Sequence, residues 1–178
     1  YGAFLKHIKK SAQKQFQLEL LPLVEGPVGT VYNEDINQLI SRIHGDVLYL
    51  DPPYNARQYC SNYHVLETIA RYDNPVLKGK TGLRDADGQK SKYCSKRTLE
   101  SEFENLIAGA NFKYIFLSYN NEGLMSVDTI KEIMSKYGRY ECYTLSYRRF
   151  KADKDENRNI AGSETTEYLH CLIKGISE

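Results

Sequence analysis

Asp51-Pro52-Pro53-Tyr54 sets a carboxylate, a backbone carbonyl and a flat aromatic ring in an order suited to activating an aromatic amine. The exocyclic amine of adenine is a weak nucleophile because its lone pair is delocalised into the ring. If the Asp51 carboxylate and the Pro52 carbonyl accept its two N–H bonds together, the nitrogen becomes tetrahedral and its lone pair is freed. The same two acceptors stabilise positive charge developing on nitrogen during alkylation. Pro53 fixes its own φ and holds Pro52 extended, which aims the Pro52 carbonyl outward. Tyr54 offers a face on which an extruded base can stack, a contact worth roughly 1–3 kcal/mol. Such an amine inside a duplex is reached only by base flipping. At average composition the tetrapeptide is expected in a chain of this length roughly once in a thousand times. The plainer reading is a Pro-Pro turn ending a strand, with Asp51 a helix-side cap and Tyr54 part of the core.

The elements that must position this loop follow from periodicity. Residues 46–50 end in Val-Leu-Tyr-Leu, a continuous apolar run typical of a central strand covered on both faces. In open α/β sheets ligands bind beyond the carboxyl ends of strands, where Asp51 falls. Before it, helical spacing runs over residues 3–14, Gly26-Pro27 breaks the chain, residues 29–33 read as a short strand and residues 36–43 as a helix ended by Gly45. After it, Ser61 caps a helix to about Tyr72 with Tyr63, Leu66, Ile69 and Ala70 inward. Residues 74–96 form a long loop, Thr98 caps a helix over residues 99–108, and residues 113–118 are a buried strand. Ser126 caps a helix through Tyr137 with Val127, Ile130, Ile133 and Met134 inward; residues 139–150 and 166–173 are the last strands, separated by a polar loop over 151–165. The alternation argues an α/β fold with a largely parallel sheet.

No apolar run is long enough to cross a membrane, and no secretory leader is visible. The four cysteines, Cys60, Cys94, Cys142 and Cys171, lie at no metal-ligand spacing. No metal is therefore expected, Cys142 and Cys171 read as small buried hydrophobes, and the expected compartment is the reducing cytoplasm. Net charge is only +1, but Lys6, Lys9, Lys10 and Lys14 cluster near the start, and Arg148, Arg149, Lys151 and Lys154 near the end. Either cluster could neutralise phosphates or simply be a solvated face or loop.

Four stretches carry a family resemblance: Val31-Tyr32-Asn33-Glu34-Asp35-Ile36, then Gly45 through Asn55, and later Phe116 through Asn121 and Thr166-Glu167-Tyr168-Leu169. Over about residues 28–174 the chain resembles the D12 class of adenine-specific (N6) DNA methyltransferases, as its C-terminal catalytic portion. The resemblance implies a partial Rossmann-like S-adenosylmethionine-dependent methyltransferase sheet with flanking helices. It implies Asp51, Pro52, Pro53 and Tyr54 as the catalytic loop, and Asp35 and Asp51 at the cofactor, S-adenosyl-L-methionine. Asp35 reads equally well as a helix cap. Ser118 and Asn120 match the strand end beside the pocket, or close a turn. Residues 1–27 match the helical, basic end of a target-recognition segment, and residues 28–178 the catalytic domain. Lys6, Lys9 and Lys10 would then meet DNA phosphates, with Arg57, Tyr59 and Asn62 near the flipped nucleotide.

The chain departs from the family in lacking a Phe-x-Gly-x-Gly cofactor loop and its strand. Gly26-Pro27-Val28-Gly29 does not replace it, having no strand-to-helix cradle. The expectation is a fragment or half of a split enzyme, inactive alone, whose partners are double-stranded DNA, the missing N-terminal part and a cognate restriction endonuclease. Two alternatives remain: a methyltransferase of RNA adenine, and a non-catalytic nucleic-acid-binding module.

Overall fold

The computed structural model describes residues 10–15, 17, 19–148 and 164–175. These form two compact units, one made of residues 1–34 and 59–89, the other of residues 35–58 and 90–178.

The larger unit is a four-stranded sheet with helices on one face. Its strands are β1 (His44–Leu50), β2 (Asn111–Asn120), β3 (Gly138–Arg148) and β4 (Glu164–Lys174), in the order β1-β2-β4-β3. β1 and β2 are parallel, with Leu50 opposite Leu117, whereas β4 is antiparallel to both β2 and β3. Thus β1, β2 and β3 run the same way and β4 is wedged between two of them. The α/β fold is as expected, but the sheet is mixed and not largely parallel: the terminal pair follows β2, with the antiparallel β4 between β2 and β3.

Side chains alternate across the sheet, so register assigns each residue to a face. Leu48, Leu50, Ile115, Leu117, Tyr119 and Leu172 lie on one face and are buried. Against them pack Leu99, Phe103, Leu106 and Ile107 of α4 (Leu99–Gly109) and Ile130, Ile133 and Met134 of α5 (Val127–Ser135). The expected inward positions of α5 are met, except that Val127 is only half-buried. Ser126 caps this helix as expected, its Oγ accepting from Thr129 N at 3.0 Å. Thr98 sits at the cap position of α4 but turns its hydroxyl to the carbonyls of Lys92 and Ser95.

The opposite face corrects the reading of β1. Val47 is 55% exposed and Tyr49 61%, and Tyr143, Leu145 and Leu169 on the same face are exposed too. β1 is also an edge strand among the described strands. An apolar run reports that a strand suits burial on both faces, not that the same chain supplies both covers.

Other expectations shift as well. Residues 29–33 are exposed and form no strand. The expected helix over 36–43 is α1 (Ile36–Leu39) running into a 3-10 turn (Ile40–Arg42), and Gly45 lies within β1. There a Cβ would stand 3.1 Å from the Phe112 ring. Of the helix expected over 3–14, a 3-10 turn at Lys10–Gln13 is seen, and residues 1–9 lie outside the described residues. Most of the expected polar loop 151–165 also lies outside them. Cys142 and Cys171 are only half-buried, and Cys94 is the buried cysteine.

The smaller unit carries α2 (Tyr59–Asn62) and α3 (His64–Arg71), separated at Tyr63 where one helix was expected. Its inward set is also corrected. Leu66 and Ile69 are exposed, as are Tyr63 and Ala70, whereas His64 is fully buried. Here helical spacing of apolar residues marks an uncovered stripe, not a core stripe. Beyond it, Lys78 and Leu83 exchange backbone hydrogen bonds of 2.8 and 2.9 Å across a turn in which Gly79 and Gly82 take positive φ. Arg84, nearly buried, donates to both carboxylate oxygens of Asp73 at 3.2 and 2.6 Å and to the Thr68 hydroxyl at 3.2 Å. This part of the expected loop is therefore held by a fork-shaped ion pair.

Candidate active site

The Asp51–Tyr54 loop leaves the C-terminal end of β1 beside the end of β2. Its far end is tied down. Leu124 N donates to the Tyr54 carbonyl at 2.9 Å, and the Tyr119 hydroxyl lies 3.5 Å from the same oxygen. Asn55 Oδ1 accepts from Arg57 N at 2.9 Å, a side-chain-closed turn that ends the loop. The near end is left open. Asp51 is exposed and its carboxylate makes no hydrogen bond or ion pair among the described residues. Pro52 and Pro53 are half-buried, and Tyr54 presents 39% of its surface. The arrangement fixes the loop backbone while leaving its carboxylate and aromatic ring available to a ligand. The alternative of Asp51 as a cap and Tyr54 as core is not what forms.

The turn after β2 builds the floor of this loop. Asn120 is buried, and its Oδ1 accepts from Glu122 N at 3.1 Å while its carbonyl accepts from Gly123 N at 3.1 Å. Asn121 exchanges two 3.1 Å bonds with the Thr166 backbone, one through its own N–H and one through Oδ1. Asn120 thus closes a turn, the second of the two roles open to it. Ser118 lies two residues earlier on the more open face of β2, half-buried. Sequence reasoning missed Tyr119, whose hydroxyl also accepts from Leu124 N at 3.1 Å and Met125 N at 3.4 Å. Burial raises the phenol's pKa, so it keeps its proton.

Asp35 caps α1, its Oδ1 accepting from Asn37 N at 2.9 Å and Gln38 N at 3.3 Å. Its neighbourhood is anchored by Asn37, which donates to the Glu102 carbonyl at 2.8 Å and accepts from the Tyr93 hydroxyl at 2.7 Å. Tyr93 is buried, and burial raises its pKa. Gln58 then ties the segment after the Asp51–Tyr54 loop to Ser91 by a pair of bonds at 3.1 and 2.8 Å.

Of the residues expected at DNA, Tyr59 and Asn62 share α2, and the Tyr59 ring lies 5.6 Å from that of Tyr63. Arg57 and Lys10 are exposed, and Lys6 and Lys9 lie outside the described residues. Among the described residues no cluster of His, Cys, Asp or Glu could hold a metal ion, and no helix is long and apolar enough to cross a membrane.

The type II methyltransferase M.NlaIII of Neisseria lactamica is 58% identical over 98% of the chain and 52% of its own length. The type II methyltransferase M.FokI of Planomicrobium okeanokoites is 43% identical over 99% of the chain and 27% of its own length. The modification methylase StsI of Streptococcus sanguinis is 37% identical over 95% of the chain and 26% of its own length. The chain therefore spans about half the length of the first of these relatives and about a quarter of the other two. No solved structure matches it. The D12 class N6 adenine-specific DNA methyltransferase profile matches residues 1–152, and the chain belongs to that family.

Proposed function

We propose that the enzyme containing this chain is a site-specific DNA-methyltransferase (adenine-specific) of a restriction-modification system. It moves the methyl group of S-adenosylmethionine to N6 of an adenine flipped out of duplex DNA. The observation that carries the reading is the state of the catalytic loop. Its backbone is pinned at Tyr54 by Leu124 N, while the Asp51 carboxylate stands exposed and unengaged at the strand end. An extruded adenine stacked on Tyr54 would donate its two amine N–H hydrogen bonds to the Asp51 carboxylate and the Pro52 carbonyl. The loop then holds charge developing on nitrogen without reorganising.

S-adenosylmethionine would supply an electrophilic methyl group. The described residues do not form a complete seat for it. Asp35 already uses Oδ1 as a cap, and Gly26 and Gly29 are exposed with nothing within 4 Å of where a Cβ would sit. The apolar face bearing Val47, Tyr49 and Leu169 and the open edge of β1 favour further polypeptide of the same enzyme packing there and completing that seat. Residues 1–27 end the target-recognition segment in this reading. Lys6, Lys9 and Lys10 then meet phosphates, and Arg57, Tyr59 and Asn62 lie near the flipped nucleotide. A cognate endonuclease in the same cytoplasm cuts the unmodified site.

The test is transfer of labelled methyl to unmethylated duplex DNA by the full-length enzyme, followed by nucleoside analysis. N6-methyladenine is expected, and Asp51→Ala is expected to lower the rate by at least about 100-fold. Full activity of Asp51→Ala, or label found only in RNA, would sink the reading.

A further inference from the structure

The Tyr119 hydroxyl occupies a position that core packing alone does not require. Its ring is 2% exposed on the helix-covered face of β2, yet the oxygen reaches three polar groups of the loops above. Leu124 N lies at 3.1 Å, Met125 N at 3.4 Å and the Tyr54 carbonyl at 3.5 Å. Leu124 N is shared, since it also donates to the Tyr54 carbonyl at 2.9 Å. A second observation concerns Gly123. A Cβ there would stand 2.0 Å from Tyr119 Cε1 and 2.7 Å from Cζ, so the backbone of the turn lies directly on the ring. The ring is wedged between core and turn, and its one polar atom joins the turn to the last residue of the catalytic loop.

We propose that Tyr119, Gly123 and Leu124 form a clamp that positions the catalytic loop, with Tyr119 setting where the Tyr54 ring and the Pro52 carbonyl stand relative to the target base. The inference rests on the reading of Asp51–Tyr54 as the amine-activating loop. Tyr119 does not touch the reacting atoms; it is a positioning residue. The chemistry is one of alignment, where a small displacement of an acceptor weakens its bond to the amine in the transition state more than it weakens DNA binding. Removing the hydroxyl leaves Leu124 N on the Tyr54 carbonyl but strands Met125 N, in a residue that is itself 3% exposed.

The experiment uses the full-length enzyme, unmethylated duplex DNA and labelled S-adenosylmethionine under single-turnover conditions. The quantity read is the rate constant that no longer rises with enzyme concentration. Loss of folded protein lowers the effective concentration but leaves this plateau unchanged. Tyr119→Phe is expected to lower the plateau roughly 3- to 10-fold, the worth of one hydrogen bond, with KM for DNA unchanged. Gly123→Ala is expected to lower it at least about 10-fold, because the added methyl must displace the turn or the ring. Ile133→Val, a core change on α5 remote from the turn in sequence, is expected to lower the melting temperature and leave the plateau alone. Tyr119→Phe at the wild-type plateau overturns the proposal, whatever its melting temperature. If Tyr119→Phe does not fold, Gly123→Ala at the wild-type plateau overturns it equally. A wild-type enzyme without adenine transfer, or an Asp51→Ala variant as active as wild type, instead overturns the reading of the loop itself.

Discussion

Two roles compete for the Asp35 carboxylate, and one substitution separates them. Its Oδ1 caps α1, which asparagine does as well as aspartate, while a contact to the adenosine portion of a methyl donor would use the charge or the second oxygen. Asp35→Asn is therefore expected to keep stability within a few tenths of a kcal/mol, and Asp35→Ala to cost about 1 kcal/mol. Both are expected to weaken S-adenosylmethionine binding to the full-length enzyme, measured by calorimetry. Unchanged affinity in Asp35→Asn would confine this residue to its cap. His170 offers a second residue-scale test. It is fully buried on the helix-covered side of β4, with Nδ1 2.7 Å from the Tyr140 hydroxyl, and burial pushes its pKa down to about 4. The folded protein thus holds it neutral where the unfolded chain would protonate it. Stability is fully present above about pH 6.5 and is lost as pH falls toward 4, by roughly 3 kcal/mol. Urea unfolding at pH 7 and pH 5 is expected to show a smaller pH dependence in His170→Gln than in wild type. The Asp51–Tyr54 loop was legible as a candidate site because the chemistry it offers lies in its residue types. Tyr119 was not, since a tyrosine in an apolar strand gives no sign of where its oxygen ends.

Elements were read best where sequence and packing agree. β2, α4 and α5 stand close to where periodicity puts them, because their apolar residues face one shared core. The helix expected after Ser61 misled because its apolar stripe is real but uncovered. What periodicity cannot show is how ends of elements are joined across the fold. Lys174, the last residue of β4, sends its ammonium to the C-terminal end of α4, donating to the carbonyls of Ile107, Ala108 and Ala110 at 2.7, 3.0 and 2.5 Å. These are the carbonyls a helix leaves without partners, and they carry the negative end of its dipole. Burial lowers the Lys174 pKa. Lys174→Met is expected to cost about 1–3 kcal/mol and to speed amide exchange in the last turn of α4, with activity retained per folded molecule. Equal exchange in both proteins would mean that the carbonyls find water instead. At the start of β3, Gly138 has a φ of 156°, and a Cβ there would stand 2.1 Å from the Ile173 carbonyl oxygen. Gly138→Ala must separate β3 from β4 at that end.

At the scale of the whole molecule the sheet is finished on one side only. α4 and α5 seal the face of Leu50 and Leu117, while Val47, Tyr49, Tyr143, Leu145 and Leu169 stand exposed on the other. A contiguous apolar sheet face beside an unpaired parallel edge is the kind of surface that proteins keep covered. The reading of β1 as buried on both sides was therefore half legible: the residues are right for burial, and the cover is not among the elements described. If further polypeptide of the same enzyme supplies it, residues 1–178 expressed alone are expected to bind a hydrophobic dye and to associate. Co-expression with the remainder of the enzyme is expected to abolish both and to restore methyl transfer. The double substitution Val47→Thr with Tyr49→Thr sharpens the test, because threonine keeps the strand's β-branched fit while removing apolar area. It is expected to reduce dye binding by the isolated chain and to weaken reassembly with the remainder. Reassembly that proceeds equally well with the substituted chain would show that this face is not where the rest of the enzyme packs.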